Sequence, residues 1–249
     1  MKKEKSIQKV VALFDTHIPY HVPLDPVFEF IHDFKPDKVI LGGDLHDWGS
    51  VSTWLADQSR ILDGGMIKQN YEELRNVLFN PLQVAAGHAE KIFLTGNHEY
   101  RLIQAASINP NGRGFWELEN NIDFKSYNMK LIPVNLPYRL NSNLIFIHGI
   151  FTNLYHARKT VESYHISVLY GHCHTFQSFT MVSPIDNEQF FTGQAIGCLC
   201  HLNPTFMKNR PNAWVNGFAY GYTGDRDSFQ YIPAVVVRNQ FWAEGRKYK

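Results

Sequence analysis

Residues 38–44 have the sequence KVILGGD, in which an apolar run ends in two glycines and an aspartate. A short run of leucine and β-branched residues that stops at glycine or a polar residue is typical of a buried strand followed by a tight turn. Four other stretches have the same form. They are KVVALFDTH (9–17), KIFLTGNHE (91–99), LIFIHG (144–149) and SVLYGHCH (167–174).

The polar residues that follow these runs are potential metal ligands. Side chains at the carboxyl ends of buried strands converge on one edge of a sheet, where α/β proteins place their active sites, so we predict a shared metal centre. Carboxylate, imidazole and amide oxygen donors suit Mn, Fe, Zn and similar ions better than Ca. The predicted ligands are Asp15, His17, Asp44, Asn97, His148, His172 and His174.

Two pairs of predicted ligands are spaced two residues apart, Asp15 with His17 and His172 with His174. On a strand, alternate side chains face the same way, so we expect both imidazoles of the second pair to point to the metals and Cys173 to point away. Two divalent ions about 3.5–4 Å apart need a bridging anion. Asp44 is central in the series and is the candidate bridge.

The composition indicates a globular protein without a strong electrostatic preference. The chain has 249 residues, of which 24 are basic and 23 acidic, for a formal net charge of +1. This balance indicates no strong overall attraction to nucleic acid or to an anionic membrane. No apolar run approaches the roughly 20 residues of a membrane helix. We expect one domain over residues 1–249.

The cysteines indicate a reducing environment. The chain has three cysteines, Cys173, Cys198 and Cys200, and a single residue separates the last two. An odd number with this spacing does not suit a disulfide framework. A cytoplasmic location is therefore expected, and the run VVALF near the start is too short for a signal peptide. His201 follows two of these cysteines, but without a second pair of donors we do not expect another metal site there. This stretch is equally a candidate for the lining of the substrate cleft.

The first hundred residues alternate between predicted strands and helices, which implies right-handed parallel crossovers. The predicted strands cover 7–14, 38–43 and 91–95, and the predicted helices cover 24–35 and about 61–77.

The rest of the chain is predicted to contain fewer helices. We expect a short helix around 115–121, a hairpin around 141–143 and a helix at about 153–164. Residues 176–243 are strand-rich and are expected to form a second sheet of largely antiparallel strands packed on the first.

The motifs D-x-H, GGD-x-x-D, GNHE, a lone H-G and GHCH, in this order over residues 15–174, resemble the motif set of the calcineurin-like metallophosphoesterase superfamily. The resemblance implies an α/β fold, a four-layer αββα sandwich of two mixed β-sheets flanked by helices. It also implies a dinuclear metal centre between the loops, with Mn²⁺ the expected metal and Fe, Zn, Ni or Mg as alternatives.

The resemblance assigns the ligands residue by residue. One ion would be held by Asp15, His17, Asp44 and His174, and the other by Asp44, Asn97, His148 and His172.

The resemblance also implies hydrolysis by in-line attack of a metal-bridging hydroxide on phosphorus. His98 would protonate the leaving group, and Asp47 would favour the imidazolium form of His98.

The substrate is less constrained by the motifs. Protein phosphatases of this superfamily carry an arginine after the second aspartate, a good match for a dianionic monoester, whereas this chain has Trp48 after Asp47. A diester needs fewer cationic partners, and an aromatic ring near the metals could stack on a base. These features favour a phosphodiesterase that acts on nucleotides or nucleic acid, as a nuclease does.

Two alternatives stay open, a phosphomonoesterase acting on small molecules or proteins and a non-catalytic metal-binding scaffold. The candidate substrate contacts are Trp48, Arg101 and His46. The other tryptophans, Trp54, Trp116, Trp214 and Trp242, are expected to be packing residues.

Overall fold

The computed structural model describes residues 7–51, 64–108, 113–204, 207–224 and 228–249. The larger sheet has six strands. In spatial order they are β11 (Phe229–Val235), β10 (Gly217–Thr223), β1 (Gln8–Leu13), β2 (Lys38–Leu41), β3 (Glu90–Leu94) and β4 (Met129–Ile132). Strands β1 to β4 are parallel, as the strand–helix alternation predicts. Strands β10 and β11 are antiparallel to their neighbours.

The second sheet has five strands and is also mixed. In spatial order they are β5 (Tyr138–Arg139), β6 (Leu144–Ile147), β7 (Ser167–Tyr170), β9 (Asp186–Ile196) and β8 (Phe176–Ser183). Strands β6, β7 and β9 are parallel, whereas β5 and β8 pair antiparallel at the edges. The predicted hairpin around 141–143 is the β5–β6 connection.

The helices lie on the outer faces of the two sheets. They are α1 (Asp25–Phe34), α2 (Gly64–Leu74), α3 (Asn80–Ala86), α4 (Asn97–Ile108), α5 (Leu118–Asn121) and α6 (His156–Tyr164). A π-helical turn at Arg75–Phe79 joins α2 to α3, next to Pro81, which lacks the N–H of a regular helix. Residues 61–63 of the predicted helix lie outside the described residues.

Strand alternation builds three apolar layers. Val11 and Leu13 of β1 pack against α1 and α3, whereas Val10 and Ala12 face the second sheet. On the far side of the second sheet, Ile145 and Val168 form a third cluster on the face that α6 covers. The order helix, sheet, sheet, helix is the expected αββα sandwich.

The prediction for residues 176–243 is partly wrong. Only β8 and β9 join the second sheet, while β10 and β11 return to the first, where β10 pairs with β1. This pairing covers an edge of β1 that would otherwise expose unpaired backbone groups. The second sheet is mixed because α6 provides the long crossover that parallel β6 and β7 require.

The last strands form a separate hairpin, β12 (Phe241–Ala243) and β13 (Arg246–Tyr248). It packs on α1, where Arg246 pairs with Glu29 and Asp33. Within the described ranges, no helix is both long and apolar enough to cross a bilayer.

Candidate metal centre

Five strands of the two sheets end at one cleft, and the loops that follow them carry the predicted ligands. Asp15 and His17 follow β1, Asp44 follows β2, and Asn97 begins α4 directly after β3. His148 follows β6, and the His172–His174 loop follows β7. Backbone hydrogen bonds join these loops, from Asp15 to Gly43 (3.1 Å), from His17 to Asp44 (3.0 Å) and from Gly171 to His148 (2.8 Å).

The two-residue spacing has a different cause from the one expected. The pairs lie in loops after their strands, so the expectation that they share one face of a strand is wrong. Five of the predicted ligands have positive φ angles: Asp15 (53°), His17 (46°), Asp44 (51°), His172 (68°) and His174 (57°). Left-handed backbone costs a non-glycine residue about 1–2 kcal/mol and concentrates at functional sites. Cys173 does point away, with its thiol donating to the Phe151 carbonyl at 3.0 Å.

Two glycines allow the loops to approach one another. A Cβ on Gly96 would lie 2.2 Å from Asp44 Oδ1, and a Cβ on Gly171 would lie 2.2 Å from Asp15 Oδ2. Both distances are impossible for real atoms, so only glycine lets these backbones pass so close to the carboxylates. The glycines of TGNHE and YGHCH therefore shape the cleft.

The first donor set consists of Asp15, His17 and His174, all of them buried. The Nε2 atoms of the two histidines are 3.1 Å apart, and Asp15 Oδ1 lies 3.6 Å from His174 Nε2. Asp15 Oδ2 accepts a hydrogen bond from the His172 backbone (2.7 Å), but the buried Oδ1 has no hydrogen-bond partner. A buried carboxylate oxygen without a donor is costly, and a cation between these three side chains would satisfy it.

The second donor set consists of Asp44, His148 and His172. His148 Nε2 lies 3.3 Å from Asp44 Oδ2 and 3.0 Å from Asn97 Oδ1. His148 Nδ1 lies 2.9 Å from the Gly42 carbonyl, which can only accept a hydrogen bond, so this contact holds the Nδ1–H tautomer and directs Nε2 into the cleft. The set thus combines a carboxylate, two imidazoles and a nearby amide oxygen.

Asp44 lies between the two sets. Its Oδ2 is 3.3 Å from His148 Nε2 and 3.8 Å from His17 Nε2. Its Oδ1 accepts a hydrogen bond from the His98 backbone at 2.8 Å. One carboxylate therefore reaches donors of both sets.

The charges in the cleft stabilise ionised carboxylates. Burial opposes ionisation of Asp44, but the neighbouring His148 and His98 hold its pKa well below its usual range. Burial opposes the charged form of His148, and the carboxylates of Asp44 and Asp15 more than offset it, which raises the pKa of His148 to about 10. Anionic oxygens that favour nearby positive charge would also favour a divalent cation.

His98, Asp47 and Arg101 form a group beside Asp44 and His17, with the His98 ring centroid 4.5 Å from that of His17. His98 Nδ1 lies 2.8 Å from the Asp47 carbonyl and 3.4 Å from its carboxylate. Burial lowers the pKa of His98, but Asp44 and Asp47 outweigh it, and the net shift is upward. Arg101 donates to the Asp47 carbonyl at 3.0 Å and lies against the imidazole of His98.

Glu99 holds two loops of the cleft together through hydrogen bonds, a role that the sequence does not reveal. It is fully buried and accepts hydrogen bonds from the backbone N–H groups of Asp44 (2.8 Å), Leu45 (2.8 Å) and Gly96 (3.0 Å). Burial and the Asp44 carboxylate raise the pKa of Glu99. The side chain joins the loop after β2 to the loop after β3, so it positions Asp44.

Two of the three predicted substrate contacts are wrong. Trp48 is fully buried, packs against Tyr71 at 4.9 Å between ring centroids and directs its indole N–H to Glu99. His46 is 1% exposed, accepts the Trp48 backbone N–H through Nδ1 and lies 3.2 Å from Glu73 through Nε2. Both side chains are buried against α2, which supplies their partners Tyr71 and Glu73.

Other residues lie closer to the cleft than expected. Trp214 is half-buried, with its ring centroid 4.2 Å from that of His174. Cys200 Sγ lies 3.9 Å from His174 Nδ1, and the buried Cys198 joins them in a further grouping that shares His174 with the first donor set. His201 is exposed and lies outside this grouping. No local motif could have placed these residues, because they lie in the connection from β9 to β10. This connection bonds to distant loops, as in the hydrogen bond from the Leu199 backbone N–H to the Asp15 carbonyl at 3.1 Å.

We predict that Glu99→Ala lowers the free energy of unfolding by about 2–5 kcal/mol, because it leaves three buried backbone N–H groups without an acceptor. Urea denaturation in the presence of chelator measures this without a contribution from bound metal. The exposed Glu119→Ala is the matched control and should change stability by about 0.5 kcal/mol or less. An unchanged urea midpoint for Glu99→Ala would contradict the proposed role.

Comparisons with known proteins agree with the motifs. The family model for calcineurin-like phosphoesterases matches residues 9–191. The chain is 23% identical to the Gene 54 protein of Mycobacterium phage L5 over 97% of this chain and 99% of the relative, and 26% identical to the Gene 54 protein of Mycobacterium phage D29 over 67% and 69%.

Solved structures that match the chain include a single mutant of Vps29 from Entamoeba histolytica, with a TM-score of 0.49, 12% identity and coverage of 97% of this chain and 99% of that chain. A predicted phosphoesterase from Streptococcus pneumoniae has a TM-score of 0.36, 13% identity and coverage of 97% and 96%. From the family match over most of its length, the chain belongs to the calcineurin-like phosphoesterase family of metal-dependent phosphoester hydrolases.

Proposed function

We propose that the chain hydrolyses phosphodiesters at a centre of two divalent cations, with Mn²⁺ as the expected metal. The observation that carries this proposal is the pair of donor sets that meet at Asp44, together with the buried oxygen of Asp15 that lacks a hydrogen-bond partner. One cation would be held by Asp15, His17, Asp44 and His174, and the other by Asp44, Asn97, His148 and His172. When bound, the pair of cations supplies an activated water and neutralises charge on the phosphoryl oxygens.

The protein's own residues position the donors and handle the leaving-group proton. Glu99 and the backbone hydrogen bonds hold the loops, so the donors need little rearrangement on binding. His98 is the proposed acid, because Asp44 and Asp47 favour its imidazolium form. Asp47 also orients the ring through its carbonyl oxygen.

The distribution of positive charge supports a diester rather than a monoester. Among the described lysines and arginines, Arg101 is the one with hydrogen bonds to residues of the centre. A monoester dianion gains most from several guanidinium contacts, whereas a diester carries one negative charge. The base-stacking role suggested for Trp48 gives no support, because that ring is buried.

A phosphomonoesterase is the second candidate, and Arg101 is the feature that favours it. The guanidinium is only partly buried and lies against His98, where it could contact a terminal phosphate.

The test compares bis-p-nitrophenyl phosphate with p-nitrophenyl phosphate, and single- with double-stranded DNA, in Mn²⁺ and in chelator. We expect a higher kcat/KM for the diester than for the monoester, and no activity in chelator. A preference for the monoester would support the second candidate. Absence of hydrolysis of every substrate, with metal bound, would favour a non-catalytic scaffold.

We predict that Asp44→Asn removes metal from one or both sites and abolishes hydrolysis, because an amide cannot supply the bridging charge. Bound metal per chain after dialysis and the rate with bis-p-nitrophenyl phosphate measure the two effects. Asp186→Asn, an exposed carboxylate in the second sheet, is the control and should keep both. Full activity of Asp44→Asn would refute its assignment as the bridge.

We predict that His98→Ala keeps bound metal but slows hydrolysis about 10²–10⁴-fold for diesters with alkoxide leaving groups, which need a proton. Diesters that release nitrophenolate should be slowed much less, because that leaving group is stable as an anion. The comparison uses rates with both classes of substrate and metal content for the same preparation. Loss of metal, or equal slowing of both classes, would mean that His98 is not the acid.

A further inference from the structure

Trp214 is the described tryptophan that borders the metal centre. Its half-buried indole meets the His174 ring at 4.2 Å between centroids, with an angle of 69° between the planes. Trp48 and Trp116 are buried in the core, and Trp242 is 68% exposed on the β12–β13 hairpin. A ligand held at the cation beside His174 would therefore have the Trp214 ring next to it.

The segment around Trp214 is fixed by hydrogen bonds before any ligand binds. The Trp214 backbone N–H donates to Asn212 Oδ1 at 3.0 Å, and Asn212 Nδ2 donates to the Leu202 carbonyl at 2.8 Å. The next residue, Val215, donates its backbone N–H to the His174 carbonyl at 2.8 Å. Because these hydrogen bonds already order the backbone that carries Trp214, little conformational entropy is lost when a ligand contacts the ring.

The indole N–H of Trp214 also differs from that of Trp48. The buried Trp48 donates its indole N–H to Glu99, whereas within the described part of the chain no acceptor contacts the Trp214 indole N–H. The connection that carries Trp214 also contains two exposed cationic residues, Lys208 and Arg210. An aromatic ring beside a phosphate site, with cations in the same connection, matches the chemistry of a nucleotide: a base that stacks and phosphates that attract positive charge.

We propose that Trp214 is a specificity residue that stacks on the nucleoside part of the substrate, so that nucleotide-containing phosphodiesters are the preferred substrate class. This inference rests on the proposed function, since it assumes that the phosphorus lies at the metal centre. Stacking on an aromatic side chain is sequence-tolerant, because every base has a π face. The expected contribution is mainly to substrate binding and therefore to KM.

The test uses two diesters with the same leaving group, thymidine 5′-p-nitrophenyl phosphate and methyl p-nitrophenyl phosphate. In the wild type, the nucleoside diester should have the higher kcat/KM. Trp214→Ala should lower the ratio of the two kcat/KM values by about tenfold, mainly through KM, and Trp214→Phe should keep most of it because a ring remains. Trp242→Ala, an exposed tryptophan on the separate β12–β13 hairpin, is the control and should leave the ratio unchanged.

The outcomes separate this inference from the proposed function. If the wild type hydrolyses neither diester, the proposed function fails. If it hydrolyses both and Trp214→Ala leaves the ratio unchanged, the stacking role is overturned. An equal fall with both substrates also overturns it, because the ring would then act on the shared leaving group or on the metals. Bound metal per chain, equal in the wild type and Trp214→Ala, shows that the variant retains the centre.

Discussion

The structure depends on the burial of two carboxylates, Asp15 and Asp44, at the point where the loops of both sheets meet. Each is almost inaccessible to solvent, and isolated buried carboxylates are strongly unfavourable. Imidazoles and backbone N–H groups offset part of this cost, but one oxygen of Asp15 has no hydrogen-bond partner. The arrangement is costly without positive charge in the cleft, and two divalent cations would supply that charge where the donors converge.

The surrounding fold maintains this arrangement. The parallel strands end at one edge of the sheets, so their loops meet there. Glycines let the backbones approach the carboxylates, and Glu99 joins two of the loops through hydrogen bonds. The left-handed backbone at five of the donors is strained, and the hydrogen bonds between loops hold it in place. The strained backbone that makes the donors face one another is locally destabilising. The three apolar layers stabilise the rest of the fold.

The sequence predicted the features that depend on local patterns. The donors stand directly after short apolar runs, so their convergence follows from the strand assignments and the parallel order. The features that depend on distant packing could not be predicted in this way. Trp48 is buried because α2 covers it, and Glu99 is central because two loops present N–H groups to it. Trp214 reaches His174 because the connection between β9 and β10 bonds to the His174 loop. The two-residue spacing of the ligands is visible in the sequence, but their backbone conformation is not, because a strand and a pair of left-handed residues can share the same sequence pattern.

The most direct test of the account is anomalous diffraction from crystals grown in Mn²⁺. We predict two anomalous peaks in the cleft, one beside Asp15 and His174 and the other beside His148 and His172, with Asp44 in contact with both. A cleft without a peak, or a single peak beside Cys198 and Cys200, would contradict the proposed dinuclear centre.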